Sequence, residues 1–235
     1  MPISVHAFAA QPPNYFPSMS CFFKAAQAQN FVLADDLQFT THGEGNRMRI
    51  KTNEGAMWLT VPVLTKGKAG QLIKDVQIDH ALNWRQKHWK TLRCHYGRAP
   101  YFEKYADHLE KIFRREWKYL ADLNVVTFEF LHRELKLRCT WQRSSLWEIS
   151  AGGADRIVEM GRRLGGKRYV TASANKKILH EEKFAEAGIA LTYFDFAPRP
   201  YHQQYGAFVP NLTALDLLCN EGEDAQSFLA PHERI

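Results

Sequence analysis

A strand–helix–strand succession near the carboxyl end restricts the fold of this chain more than any other feature. RYVTAS (168–173) and ALTYFDF (190–196) are strand-like, and ANKKILHEEKFAEAGI (174–189) between them has helical character and ends at Gly188. Two strands joined through a helix lie parallel, with a right-handed crossover. The preceding ADRIVEMGRRLGG (154–166) is predicted to be a helix closed by its two glycines.

The amino-terminal part repeats this arrangement. ISVHAFAA (3–10) is predicted to be a strand, and the prolines of QPPNYFP (11–17) end it. SMSCFFKAAQAQN (18–30) is predicted to be a helix with Ser18 or Ser20 as its N-cap. FVLADD (31–36) has the pattern of a buried strand that ends in two carboxylates. This is a second βαβ unit.

In the middle of the chain the spacing of apolar residues differs from that of the two βαβ units. MRIKT (48–52) and MWLTVPV (57–63) flank Asn53-Glu54-Gly55 and predict a hairpin, whereas DVQID (75–79) predicts a short strand. Apolar residues recur at helical spacing over residues 83–137, which predicts a subdomain of two or three helices. NLTALDLLCNEG (211–222) predicts a last helix, capped by Asn211 or Thr213, before a loose tail from Ala225.

These elements predict an α/β fold with a mixed, mostly parallel sheet built from βαβ units and a helical insertion in the middle of the chain. No repeat or low-complexity linker divides the 235 residues, so we expect a single domain over residues 1–235. WQRSSLWEI (141–149) is expected to be short and extended.

Composition narrows the functional classes. The formal net charge of +6 favours an anionic partner such as a nucleotide, CoA or a nucleic acid, or is a basic surface without specific meaning. No block of Lys and Arg indicates nucleic-acid binding, and no apolar run is long enough for a membrane span. The four cysteines form no CxxC pair, and His80, His88 and His95 have no compact ligand spacing, so we predict no metal. We expect a cytoplasmic protein with reduced thiols.

Candidate site residues follow the predicted strands, because ligands of open α/β sheets bind beyond the carboxyl ends of the strands. Arginines nearby offer fork-shaped donors for phosphate or carboxylate, and a histidine offers a base near neutral pH. The candidates are Gln11, Asn14, Tyr15, Asp35, Asp36, Asn46, Arg47, Arg49, His88 and Ser173. Each has a structural alternative: turn or strand-end hydrogen bonds for the amides and carboxylates, surface ion pairs for the arginines, and a buried helix position for His88.

Several motifs occur together in a fixed order. They are QPPNYFP, FVLADDLQF, NRMRIKT, WLTVPV, NWRQKHWKTL, YFDF followed by PYHQQ, and FVPNLTALDLLCNEG. As a set over nearly the whole chain they resemble the WbqC-like family, whose members occur in bacterial gene clusters for O-antigen, other surface polysaccharides and natural products. The matching positions add Gln38, Tyr201 and Gln203 to the candidate binding residues. SMSCFF and ASANKK depart from the family pattern.

The resemblance implies a transferase that moves an acyl or aminoacyl group to the amine of a nucleotide-linked sugar or a similar small metabolite. His88 would be the base, with Asp36 orienting it or the amine. Gln11 or Asn46 would stabilise the oxyanion, and Arg47 and Arg49 would hold phosphate. No cofactor is assigned, and the donors that suit this chemistry are a thioester of CoA or of an acyl carrier protein, or an ATP-activated group.

Two alternatives remain open at this level. The first is a non-catalytic binding or accessory protein of a biosynthetic assembly, for which an acidic carrier protein would suit the basic surface. The second is a nucleotidyltransferase-like, nucleotide-binding enzyme, because a strand, an N-x-x-P turn, a helix and an acid-ended strand resemble the start of such folds. Here NYFP stands where those folds carry a histidine-containing motif.

Overall fold

A five-stranded parallel sheet forms the centre of the protein. The computed structural model describes residues 6–41 and 43–230. The strands are β1 (Ala7–Gln11), β2 (Asn30–Leu33), β5 (Thr140–Arg143), β6 (Arg168–Ala172) and β7 (Ala190–Phe194), in the spatial order β5-β2-β1-β6-β7. Every pairing in this sheet is parallel. The predicted α/β fold with a mostly parallel sheet is confirmed.

Helices cover both faces of this sheet. They are α1 (Met19–Ala26), α4 (Leu120–Glu134), α5 (Gly153–Leu164), α6 (Glu181–Glu186) and α7 (Ala214–Glu221). Successive side chains of a strand point to opposite faces. Ala7 and Ala9 accordingly belong to the larger core, whereas Phe8 between them packs with Val158 and Phe184 in a second core beside α5 and α6.

The hairpin predicted around Asn53-Glu54-Gly55 is present. β3 (Arg47–Thr52) and β4 (Gly55–Thr60) form an antiparallel pair in a separate two-stranded sheet, and Gly55 takes a φ of 107° at the turn. A glycine has no Cβ and adopts this conformation without strain.

The middle segment is helical, as its period predicts. It contains α2 (Trp84–Tyr96), α3 (Phe102–Arg114) and α4, and the Ala99-Pro100 step separates α2 from α3. These helices place large aromatic side chains in the main core, among them Tyr96, Phe102 and Phe128. The prediction that residues 1–235 form one domain stays a prediction.

The segment before α7 is bound to the proline-rich loop after β1. The Thr213 hydroxyl donates to the Phe16 carbonyl at 2.8 Å, and the Ala214 N–H donates to the Pro17 carbonyl at 2.9 Å. Thr213 also caps α7 by accepting from the Leu215 N–H, so the predicted helix and one of its two proposed caps are present.

Three local predictions differ from the structure, and part of a fourth lies outside the described residues. The predicted helix 174–189 is a 3-10 helix (Ser173–Ile178) followed by the short α6, because His180 takes a left-handed φ of 45° and interrupts the helix. DVQID begins in a 3-10 turn and forms only isolated bridges, since the hairpin already pairs with itself. The tail from Ala225 continues a 3-10 helix that buries Leu229. Residues 3–5 of the first predicted strand lie outside the described residues.

Candidate functional site

A cavity of about 670 Å³ lies at the carboxyl edge of the parallel sheet. The chain runs from β1 outward through β2 to β5, and then returns to the other side of β1 with β6 and β7. β1 and β6 are therefore the neighbours at which the direction of winding reverses. Crevices at such switch points are where open α/β sheets bind ligands. The volume is in the range of small-molecule sites.

The walls of this switch-point cavity are mostly apolar. They come from the ends of β1, β6 and β7 and from the helices α1 and α5. The apolar side chains include Leu37, Ile157, Met160, Ile178, Phe194 and Phe196. The polar and charged side chains are Gln11, Ser20, Lys24, Arg156, Tyr169, Asn175, Asp195 and Asn211. Few polar groups in an apolar wall give a ligand orientation as well as burial.

Lys24 is the charged wall residue that the sequence reasoning missed. It lies on α1, and only 7% of the residue is exposed. Its Nζ donates to the Ala10 carbonyl at 2.7 Å. Burial lowers the pKa of this ammonium to about 8, against a raising effect of Cys21. The sequence does carry a signal for this residue. Lys24 is the single charged residue in the otherwise apolar helical stretch CFFKAA, so burial of that stretch also buries the lysine.

Gln11 is the predicted site residue that does line this cavity. It ends β1, beside the switch point. Among the described residues its side-chain amide has no hydrogen-bond partner. A half-buried amide with a free donor and a free acceptor can hold a polar group of a ligand.

Asp36 is held by an arginine in the wall. Arg156 forms an ion pair with Asp36, and the Ser144 hydroxyl donates to the same carboxylate. Arg156 also donates to the Ile149 carbonyl at 2.9 Å. Asp36 thus fixes the first turn of α5 to the end of β2. Of the two roles proposed for it, orienting the base or orienting the amine, the first lacks a contact, because His88 bonds to Tyr15.

Asp35 is fully buried in a second polar network. The Arg143 Nε lies 2.6 Å from Asp35 Oδ2, and Ser145 donates from its N–H at 3.0 Å and from its hydroxyl at 2.8 Å. Arg143 also pairs with Asp122 at 2.9 Å. These contacts join β2, β5 and α4, so the carboxylate of Asp35 does not reach the cavity.

A small charged pocket adjoins the switch-point cavity. Its wall includes Glu44, Arg47, Arg49 and Trp58, together with Tyr15 and Ser18. The Asn14 amide donates to Glu44 Oε2 at 3.3 Å, and the Arg47 guanidinium stacks 4.4 Å above the Trp58 ring. Burial raises the pKa of the Glu44 carboxyl above its usual range, although the arginines and the Asn14 and Ser18 hydrogen bonds lower it.

Two observations place this charged pocket next to the larger cavity. Asn211 lines both, with an exposed side chain on a backbone of φ 59°. Ser18 lines the pocket and Ser20 lines the cavity, and their hydroxyl oxygens are 3.1 Å apart. The predicted residues Asn14, Tyr15, Arg47 and Arg49 therefore gather beside the cavity.

His88 lies in an aromatic environment on the other side of Tyr15. Only 3% of the residue is exposed, and the rings of Tyr15, Trp84 and Phe113 surround it. Its Nδ1 lies 3.1 Å from the Tyr15 hydroxyl. Burial lowers the pKa of His88 to about 4, so the ring is neutral at pH 7. His88 does not line the cavity or the charged pocket.

Tyr201 and Gln203 belong to a separate buried network. The Tyr201 hydroxyl donates to Asp216 Oδ2 at 2.6 Å, and the Gln203 amide donates to the same oxygen at 3.1 Å. Lys51 Nζ donates to Gln203 Oε1 at 3.2 Å. Burial raises the pKa of Asp216 above its ordinary value. This network fastens the loop after β7 to α7 and the hairpin.

The last three predicted residues have local roles. The Asn46 amide donates to the Val61 carbonyl at 2.9 Å, and Gln38 forms an isolated bridge with Leu72. Ser173 starts the 3-10 helix after β6, whose next residues, Ala174 and Asn175, line the cavity. The sequence alone could not tell which of these adjacent residues faces the cavity, because a shift of one residue changes the direction in which a side chain points.

Two absences within residues 6–41 and 43–230 concern metals and membranes. In these ranges no three His, Cys, Asp or Glu side chains come together as a metal site. None of the helices in the same ranges combines the length and the apolar character needed to cross a membrane.

Comparison with known proteins agrees with the motif set. The model of the WbqC-like protein family matches residues 11–228. The chain is 33% identical over 218 residues to the uncharacterized protein Rv1507c of Mycobacterium tuberculosis, covering 92% of this chain and 94% of that protein. No solved structure matches significantly. The family match extends from the last residue of β1 through the hairpin, the helical middle and the second βαβ unit, and the chain therefore belongs to the WbqC-like protein family.

Proposed function

We propose that this protein is a transferase that moves an acyl or aminoacyl group to the amine of a nucleotide-linked sugar or a similar small metabolite. The observation that carries the proposal is the switch-point cavity with the charged pocket beside it. A two-substrate reaction needs the two reacting groups held next to each other. The charged pocket has a volume of only about 10 Å³, so in this proposal it receives one small group such as the acceptor amine rather than a whole substrate. Surface-polysaccharide or natural-product biosynthesis, in the cytoplasm, is the setting that we propose for it.

The reaction sets the chemical requirements. The amine nitrogen attacks the carbonyl carbon of a thioester, the C–N bond forms, and a tetrahedral oxyanion results. The C–S bond then breaks, and the thiolate leaves and is protonated, while a base removes one proton from the attacking nitrogen. The site must therefore supply a base, an oxyanion donor and a binding surface for the donor.

Glu44 is the base that this arrangement supports. It lines the charged pocket, and burial raises the pKa of its carboxyl, which makes it a stronger base than an exposed glutamate. Asn14 holds its Oε2. His88, the base predicted from sequence, is bonded to Tyr15 instead, so we assign it the positioning of that tyrosine in the pocket wall.

Gln11 keeps its proposed role at the oxyanion. Its amide is without a partner among the described residues and lines the switch-point cavity at the end of β1. An amide N–H directed at a developing oxyanion stabilises the transition state more than the ground state. Arg47 and Arg49 remain the proposed clamp for an anionic group of the acceptor.

The direct test is product formation. The purified protein is incubated with acetyl-CoA and longer acyl-CoA thioesters, acyl carrier protein thioesters or ATP with amino acids, each with a panel of nucleotide-linked amino sugars. Mass spectrometry reads out an acceptor heavier by one acyl group. Product with the native protein and its absence with Glu44→Gln support the proposal. Binding of both substrates without any product would favour the accessory-protein alternative.

The sheet order supports one second candidate. A doubly wound parallel sheet with a cavity at the switch point is also the arrangement of nucleotide-binding enzymes, so nucleotidyl transfer at this cavity is the runner-up. Incubation of nucleoside triphosphates with sugar phosphates distinguishes it, because nucleotidyl transfer releases pyrophosphate and acyl transfer does not.

A further inference from the structure

We infer that the ligand of the switch-point cavity is anchored there by a phosphoryl group that pairs with Lys24. This inference rests on the proposed function and names the chemical group by which the donor or the nucleotide part of the acceptor is held. The group is shared by nucleotides and by CoA, so both are sources of it.

The ammonium group of Lys24 is incompletely paired. An ammonium has three N–H donors, and only one of them is used, toward the Ala10 carbonyl at 2.7 Å. Among the described residues no carboxylate forms an ion pair with Lys24. A buried charge without a counter-ion is costly, and it is found where a ligand provides the missing charge.

The charged side chains of the cavity wall do not balance one another. Within the part of the chain that the structure describes, Lys24 and Arg156 are the cations of the cavity wall, and Asp195 is its carboxylate. Arg156 is already paired with Asp36. Asp195 is exposed and stands at the end of β7. The buried interior of the cavity therefore carries the uncompensated positive charge of Lys24.

The first turn of helix α5 faces the switch-point cavity. α5 has 12 residues, and Gly153 and Ala154 of its first turn line the cavity. Its N-cap, Gly152, has no side chain to bond the free N–H groups of that turn. Backbone N–H groups at the start of a helix bind anionic oxygens, so this turn complements the ammonium of Lys24.

Pairing with an anion also changes the protonation of Lys24. The pKa of the free side chain is lowered to about 8, and a phosphoryl group beside it raises that pKa again. Arg156 and Asp195 share the cavity, Cys21 is close on α1, and burial keeps the Cys21 thiol neutral by raising its pKa to about 12. Binding near pH 8 should take up to about half a proton per ligand, because about half of the free lysine is neutral there.

The test is isothermal titration calorimetry at pH 8 in two buffers of different ionisation enthalpy. Three matched pairs separate the phosphoryl group from the rest of the ligand: UDP and uridine, ADP and adenosine, and CoA and pantetheine. We expect at least one phosphorylated probe to bind at least tenfold more tightly than its partner, with proton uptake. The pair that shows the difference identifies the source.

Variants of Lys24 complete the test. Lys24→Met should weaken binding of that probe at least tenfold and leave its unphosphorylated partner unchanged. Lys24→Arg should keep most of the affinity but lose the proton uptake, because a guanidinium stays charged at pH 8. Lys90→Met, at an exposed position of α2, is the control. Circular dichroism confirms that each variant is folded.

Three results would overturn the inference: no binding of any phosphorylated probe at millimolar concentration, equal affinity within every pair, or unchanged affinity in Lys24→Met. The proposed function fails separately. Binding through Lys24 without acyl transfer would contradict the transferase and retain the anchor, whereas acyl transfer with an unchanged KM in Lys24→Met would contradict the anchor alone.

Discussion

The Tyr15 hydroxyl and the His88 Nδ1 lie 3.1 Å apart and join the proline-rich loop after β1 to helix α2. Tyr15 is fully buried, so its hydroxyl depends on this contact. A buried hydroxyl that loses its partner keeps its full desolvation penalty.

We therefore expect His88→Phe to lower the free energy of unfolding by about 1–3 kcal/mol in urea denaturation. Tyr15→Phe is the matched variant, and the double variant should lose less than the sum of the two single losses. Strict additivity would show that the two groups do not interact.

The same histidine gives the fold a pH dependence. Burial lowers the pKa of His88 to about 4 in the folded protein, against about 6.5 in the unfolded chain. Its contribution is complete above pH 6.5 and is lost as the pH falls from 6.5 toward 4, because only the unfolded state binds the proton in that window. The loss should reach about 3 kcal/mol. Urea titrations at several pH values give the free energy of unfolding at each pH. Between pH 4 and 6.5 this free energy should change less steeply with pH in His88→Gln than in the native protein. An identical pH dependence would contradict the assignment.

The Asp35 network predicts a large effect of one carboxylate. Asp35→Asn leaves Arg143 without its buried partner and should destabilise the protein by about 3 kcal/mol. Asp155→Asn removes an ion pair of the same length, 2.6 Å to Lys183, whose side chains are half exposed. That control should cost less than about 1 kcal/mol. Equal midpoints in thermal unfolding would show that burial does not decide the difference.

A close approach at Gly166 predicts a steric effect. A Cβ at this position would overlap the ring of Phe8, the residue of β1 that faces α5. Gly166→Ala should therefore destabilise the protein by about 1–3 kcal/mol. Gly152→Ala is the control for steric overlap, because a Cβ there meets nothing within 4 Å and only the weaker N-cap preference of alanine costs stability. Chemical denaturation of both variants measures the contrast, which fails if the two lose equally.

Glu44 predicts a change in turnover if it is the base. Glu44→Gln keeps the shape and the Asn14 contact but cannot accept the proton, so kcat should fall at least about 100-fold with a nearly constant KM. The rate of the native enzyme should fall on the acid side at a pH above the usual range of a glutamate, because burial raises this pKa. Glu54→Gln, in the exposed hairpin turn, is the control. An unchanged kcat would remove Glu44 from the reaction.

The regular elements were accessible from sequence because their signals are local. The period of α5, its glycine cap and the β6–β7 unit follow from neighbours a few residues apart. The edge position of β5 could not be predicted from sequence, because its short run WQR pairs with β2, which lies more than 100 residues away in the chain. Local patterns do not encode which strand lies beside which.

The candidate site could be predicted only in part for the same reason. Gln11 and Tyr15 were found from their positions in the loop predicted after the first strand, since such loops gather at one edge of a parallel sheet. Lys24 and Glu44 were missed, one inside an apolar helix and the other in a glycine-bearing loop. Their character comes from burial, and burial is a property of the folded chain.

The central position of β1 has a consequence for synthesis on the ribosome. β1 ends at residue 11, but β6, its neighbour on one side, begins at residue 168. The backbone N–H and C=O groups on the β6-facing edge of β1 therefore have no strand to pair with until more than half of the polypeptide has been translated. Such late partnering of distant segments slows folding and exposes nascent chains to aggregation, so we expect a yield that depends on translation speed and chaperones.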